Sequence, residues 1–244
     1  MRARVKAAVA VAAALAVLAG ADTIVAANVE RTVAQPGIQA SVGGFPYTAS
    51  LLTGNVSRVS VEHLDAAVDG PGVATTGVDV FDLALDNPRE ALSGEFESGT
   101  ARLVRRRVRL DGVGFGTLLG ITDLDIANPY DISPAGGAAS EARLTGTVPG
   151  TEDPVTVVVT LRLIDGIFQM RPSKLIDDTS PETQAAFTLD LDTRTLPLDG
   201  PADRVQLRGG SIEFSRDRIN TAFAPADLDP KAVSYTHLRA HETN

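Results

Sequence analysis

Five arginines crowd one stretch of an otherwise acidic chain: Arg102, Arg105, Arg106, Arg107 and Arg109, in "TARLVRRRVRL". A guanidinium is a planar fork that grips a phosphate or a carboxylate through two parallel hydrogen bonds. The cluster therefore reads in two ways. It is a contact for an anionic headgroup, centred on Arg105, Arg106 and Arg107, or it is a solvated strand face balanced by acidic neighbours. Arg106 shares parity with Val104 and Val108, so its charge points to the apolar side or its rim, where a charge needs a partner.

The remaining chemistry-bearing residues offer less. His63 stands alone on the apolar parity of "NVSRVSVEHL", with no G-x-S-x-G elbow and no cysteine in the chain for it to activate, so it reads as a packed side chain. Asp123/Asp125 and Asp190/Asp192 are i, i+2 pairs, which on a strand share a solvated face. They lack the glycine and distal glutamate of a calcium loop, and Asp190/Asp192 lacks the cleft between carboxylates that a glycosidase pair requires. The run Gly112-Val113-Gly114-Phe115-Gly116 has no glycine at the third position of a dinucleotide fingerprint and no parallel βαβ context, so it reads as a turn. The absence of cysteine excludes disulfides, thiolate metal sites and thiol nucleophiles. No catalytic residue, metal or cofactor is expected.

A second stretch is conspicuous for carrying no titratable side chain apart from a tyrosine. "GGFPYTASLLTG", Gly43 to Gly54, places two aromatics around a proline beside a short apolar run. It offers shape and greasy surface, and no general acid or base.

The elements that position these residues are mostly strands. "PVTVVVTLRL" alternates most clearly, with Val155, Val157, Val159, Leu161 and Leu163 on one face and Thr156, Thr160 and Arg162 opposite. "GVDVFDLAL" places Phe81, Leu83 and Leu85 on one face and Asp82 on the other, and "AFTLDLDT" alternates Phe187, Leu189 and Leu191 against Thr188, Asp190 and Asp192. "DRVQLRGGSIEFS" reads as a hairpin turning at Gly209-Gly210. Such alternation with polar partners predicts antiparallel sheet, one face covered and one wet. Helical spacing of Ile24, Val25, Asn28, Val29, Thr32 and Val33 predicts an amphipathic helix over 22–35, ended by Pro36-Gly37. "PYTASLLTG" and "FGTLLGITDLDIAN" predict short helical pieces. The fold class expected is mainly β (α+β), a single domain over 22–232.

Composition sets the setting. The chain has 244 residues, 43% hydrophobic and 22% charged, with formal charge -9. Arg2, Arg4 and Lys6 precede an unbroken Ala/Val/Leu run from Ala7 to Leu18, and Ala19-Gly20-Ala21 fits a small-x-small cleavage rule. Residues 1–21 thus read as a signal peptide, or as a retained signal anchor because "TIVAANV" follows Asp22; either way the domain is exported. Removing those three bases moves the charge from -9 to about -12, a poor balance for binding nucleic acid. The end of the chain, 233–244, is unlike the rest. "VSYTHLRAHET" resembles a translated sequencing-library adaptor, so the segment is set aside as a non-native artefact, with the genuine C-terminus expected to be missing.

The order of features resembles the LmeA-like phospholipid-binding proteins of actinobacterial envelopes. A leader precedes a helix; Gly44-Phe45-Pro46-Tyr47 is followed by Leu51, Leu52 and Gly54; "VSRVSV" follows, and a late "LP" leads into "DRVQLRGGSIEFS". The resemblance covers about residues 22–215. Where that pattern carries an apolar residue after the second aromatic and an amide before the paired leucines, this chain has Thr48 and Ser50. The resemblance implies a fold similar to tubular lipid-binding proteins, a strongly curved antiparallel sheet wrapped around an N-terminal helix. It implies phospholipid binding at a membrane surface, support of lipomannan and lipoarabinomannan mannan elongation, envelope glycosyltransferases as partners, and no catalysis.

On that basis a lipid groove is expected, with Phe45, Pro46, Tyr47, Leu51 and Leu52 as its lip and Phe81, Leu83, Val157, Val159 and Leu161 along its wall. The competing reading is an envelope scaffold that assists a glycosyltransferase through protein contacts without lipid. A lipid or glycan hydrolase, depending on His63, ranks last.

Overall fold

The computed structural model of the chain describes residue 20 and residues 22–130, 140–177 and 180–230. The leader over 1–21, Gly20 aside, and the adaptor-like tail over 233–244 lie outside the described residues. Strands dominate, in two antiparallel sheets that do not close: six strands in the order β1 (Ile38–Gly43), β2 (Asn55–Val68), β3 (Gly72–Leu85), β4 (Gly99–Leu110), β11 (Ser211–Phe223), β10 (Arg204–Arg208), and five in the order β5 (Asp125–Ala127), β6 (Glu141–Gly146), β7 (Val155–Ile164), β8 (Ile167–Leu175), β9 (Leu189–Asp192). The mainly β class expected from alternation is therefore observed. The chain divides into two compact units, Met1–Glu62, Val78–Val104 and Arg218–Asp229 in unit 1, and His63–Gly77, Arg105–Asp217 and Pro230–Asn244 in unit 2.

Unit 1 has its own apolar core. Helix α1 (22–33) supplies Val29, fully buried, with Val25, Ala26 and Val33 packed against the cluster, the i, i+4, i+8 stripe of an amphipathic helix. Strands β2 (Asn55–Val68) and β3 (Gly72–Leu85) add Val56, Val59, Val78, Val80 and Leu83. The phase of β3 differs from the sequence reading. Val78 and Val80 face the core, and so do Leu83 and Leu85, an odd pair after an even pair. The reset occurs at Asp82, which has φ 47. A left-handed residue inside a strand inserts an irregularity that flips the side-chain parity, and Asp tolerates it better than most side chains. Phe81 is consequently half-buried and outside the core cluster, not on the same face as Leu83.

Unit 2 is built around β7 (Val155–Ile164), which pairs antiparallel with β6 (Glu141–Gly146) and β8 (Ile167–Leu175). Val155, Val157, Val159 and Leu161 are buried and Thr156, Val158 and Thr160 half-buried, the alternation read from the sequence. Phe168 meets Phe115 and Phe214 edge-on, with ring centroids 6.1 and 5.1 Å away. The hairpin β10 (Arg204–Arg208) to β11 (Ser211–Phe223) pairs Arg208 with Ser211 across Gly209-Gly210, both at positive φ.

Two unit 2 elements differ from expectation. The glycine run expected as a turn is the start of helix α4 (Gly112–Leu119). Asp111 caps it, its Oδ1 accepting from Val113 N and Gly114 N at 3.1 and 2.9 Å. The glycines are there for close approach: a Cβ on Gly112, Gly114 or Gly116 would stand 2.1, 2.4 or 2.3 Å from the carbonyl oxygens of Leu124, Val73 and Ile121. Phe187, expected at the head of a strand, instead follows helix α5 (Pro181–Ala186), and β9 is only Leu189–Asp192. Ser180 caps α5, with its hydroxyl accepting from Thr183 N and Pro181 in the first turn.

Candidate functional site

The stretch Gly43–Gly54 joins β1 (Ile38–Gly43) to β2 in unit 1. Gly44, at φ 112, and Gly54, at φ 68, hold left-handed conformations at its ends, as a side chain rarely could. Between them run a 3-10 turn (Tyr47–Ala49) and a single helical turn, α2 (Ser50–Thr53), capped by Gly54 N donating to Ser50 O at 2.8 Å. The short helical piece expected here is observed. The Phe45–Pro46 peptide is cis.

The five lip residues divide by direction. Tyr47 is 2% exposed and lies in the unit 1 core. Its hydroxyl donates to the Ala91 carbonyl at 2.8 Å, and burial, with the Glu30 carboxylate adding to it, pushes the phenol up to about 12. Leu51 is half-buried against the same core. Phe45 and Leu52 point the other way, 78% and 90% exposed, and Pro46 is exposed as well. Large apolar side chains this open, two on one short segment, are the informative exception to burial.

Residues that sequence reasoning missed hold this lip in place. Asp22, at the head of α1, is only 3% exposed. Its two carboxylate oxygens accept from Tyr47 N at 2.9 Å and Thr48 N at 2.6 Å. Burial raises the Asp22 carboxyl, but the N–H donors of Thr48 and Tyr47 outweigh that and hold it below its ordinary value. Helix α3 (Glu90–Ser93) packs against α2, and Glu90 turns inward to accept from Glu97 N at 2.9 Å. Glu30 accepts from Val42 N at 3.0 Å. In the sequence Asp22 looks like an ordinary first residue after a cleavage motif; its reach to Tyr47 is long-range and leaves no local signature.

The expected wall residues fall in both units. Leu83 is in the core of unit 1. Phe81 lies beneath the Arg58 guanidinium, 5.3 Å from the ring centroid, and Arg58 also pairs with the buried Asp79 at 2.6 Å. Val157, Val159 and Leu161 belong to the core of unit 2, packed with residues such as Phe168 and Leu144.

The arginine cluster lies on β4 (Gly99–Leu110) with the parity read from sequence: Val104, Arg106 and Val108 buried, Arg105, Arg107 and Arg109 half-buried. Arg105 grips Asp217 through two hydrogen bonds of 2.7 Å, which keep the Asp217 carboxyl below its ordinary value. Arg109 donates to Glu213 at 3.2 Å and Arg102 to Asp82 at 2.5 Å. The fork that Arg105 would offer a phosphate is thus held by a carboxylate in this structure. The paired aspartates are likewise engaged: Asp123 accepts from Thr147, Asp190 from Arg171, and Asp192 from Arg194 N. Among the described residues no group of three His, Asp or Glu is placed to hold a metal ion.

What the geometry presents is a mainly β protein with an exposed apolar lip on a pinned helical cap. A model of the LmeA-like phospholipid-binding family matches residues 6–215, and the chain belongs to that family. No curated protein and no solved structure is significantly similar to it.

Proposed function

We propose that this protein is a non-catalytic phospholipid carrier of the cell envelope, exported by residues 1–21, that works at a membrane surface and supports mannan elongation of lipomannan and lipoarabinomannan. Membership of a phospholipid-binding family carries the reading. The lip fits it, because Phe45 and Leu52 offer exposed apolar surface on a segment that itself carries no acid or base. In this reading the sheet curves around α1 as in tubular lipid-binding proteins, and an acyl chain enters unit 1 past the lip toward Leu83. Separately, a headgroup contact at Arg105 would require that guanidinium to exchange the Asp217 carboxylate for phosphate.

The energetics suit transfer without an energy source. Burying an acyl chain gains about 0.8 kcal/mol per CH2 against water, yet almost nothing against a bilayer, so uptake and release are close to balanced. The barrier is passage through water, which a lip at the membrane shortens.

The test is photocrosslinking in cells with a photoactivatable phospholipid and, separately, a protein crosslinker. Lipid adducts on the folded protein are expected. Adducts to a glycosyltransferase with none to lipid would replace this reading with the scaffold.

A further inference from the structure

We propose that Asp22 is a positioning residue that ties the lip to the leader, so that Phe45 and Leu52 rest in the headgroup layer of a phospholipid bilayer while the leader is retained there. This rests on the reading of residues 1–21 as membrane-directed. Only Ala19, Gly20 and Ala21 separate Leu18, the last residue of the apolar run, from Asp22. Even fully extended, that link covers at most about 14 Å. Asp22 is in turn fixed to the lip, with both oxygens on the backbone of Tyr47 and Thr48. A leader anchored in hydrocarbon therefore brings the lip to the membrane interface, and the side chains next to the clamp are the ones left open to solvent, Phe45 and Leu52.

The continuity of the apolar leader with the clamp selects a bilayer as the occupant of this surface over a protein partner. The lip's own chemistry says how it binds. Gly43–Gly54 holds no basic or acidic residue, so its contact is insertion of apolar side chains, not attraction to anionic headgroups. Binding through it is then insensitive to salt and to headgroup charge.

The chain has no cysteine, so Leu52→Cys in the full chain carries one polarity-sensitive dye. With the protein in neutral phosphatidylcholine vesicles, the dye should shift to the blue and be quenched by doxyl-labelled lipid, equally at low and high salt. Asp22→Ala should weaken the quenching at position 52 while the protein still floats with vesicles, since α1 stays docked through Val29 but the lip is no longer held to its first turn. A flexible Gly-Ser insert between Leu18 and Ala19 leaves the clamp intact but lengthens the tether, and should lose the quenching, which covers the case where Asp22→Ala misfolds. A dye at position 52 that stays aqueous on protein-bearing vesicles, or quenching unmoved by both variants, overturns the proposal. Phospholipid uptake measured on the same samples separates the two readings: uptake without quenching defeats this inference alone, and quenching without uptake defeats the carrier.

Discussion

In unit 1 the helical cap is pinned by Asp22, which accepts from Tyr47 and Thr48 N–H, and elsewhere in the unit Glu30 and Glu90 accept likewise from Val42 and Glu97. Unit 2 has such contacts too, Asp123 accepting from Thr147 N and Asp111 from Val113 N and Gly114 N, and adds a dry closure. Three phenylalanines meet edge-on, and α4 lies so close to neighbouring backbone that only glycine fits. The first kind of closure is polar and made of separate bonds, each worth about 1.5–3 kcal/mol net because a carboxylate accepts. The second is packing, where loss of volume or gain of a methyl is felt at once. In the proposed reading unit 1 admits the apolar guest, and the exposed lip lies on that unit.

This contrast is broken or sharpened by substitution. The largest effect is expected from Phe168→Ala, which removes the centre of the aromatic stack and should cost about 3–5 kcal/mol in urea unfolding. A cost under about 1 kcal/mol would mean that the unit 2 core is not closed by packing, since even modest cavities exceed it. Gly116→Ala sets two effects against each other. Alanine favours a helix over glycine by up to about 1 kcal/mol, but the new Cβ would stand 2.3 Å from the Ile121 carbonyl oxygen. The clash should win, with a net loss of about 1–3 kcal/mol; a higher Tm would show that α4 can slide away from that carbonyl.

Smaller changes are expected in unit 1. Tyr47→Phe removes the bond to Ala91 and should cost about 0.5–1.5 kcal/mol by the same urea assay, leaving the fold intact. The pH dependence follows from Asp22. Its carboxyl is held below its ordinary value when folded, so its contribution is present above the unfolded value near 4 and lost as pH falls through the lower folded value. The acid limb of unfolding should therefore be shallower in Asp22→Ala than in the parent chain, and parallel limbs would dissociate the clamp from stability. Smallest in stability, within about 0.5 kcal/mol, is Phe45→Asp/Leu52→Asp, because both side chains are already in water. It should nevertheless sharply reduce phospholipid uptake from liposomes; unchanged uptake would return the lip to an inert corner.

Much of this was legible from residue order. The alternation in β7, the Gly209-Gly210 hairpin, α1 and the short helix after Pro46 all follow from local pattern, because each obeys one period or one turn rule. The failures have identifiable causes. Phe81 was placed beside Leu83 because a strict period of two cannot register the left-handed Asp82 between them. The start of helix α4 was hidden by its glycines, which lower helix propensity and are required there by neighbouring backbone, while "FGTLLG" marks the rest of it as helical. Helix α5 did carry a local sign, Ser180-Pro181-Glu182, but the alternation after it drew Phe187 into a strand. The side-chain roles at the lip were legible as a group and not one by one: sequence marks Phe45 to Leu52 as apolar, and only the fold turns Tyr47 inward and Leu52 out.

The central claim is that the folded protein holds phospholipid. Native mass spectrometry of the chain purified from its own envelope, with extraction of whatever is bound, tests it most directly. The account predicts a phospholipid mass on the folded protein, lost on delipidation and regained from liposomes. A folded protein that arrives without lipid and takes up none from liposomes would contradict it.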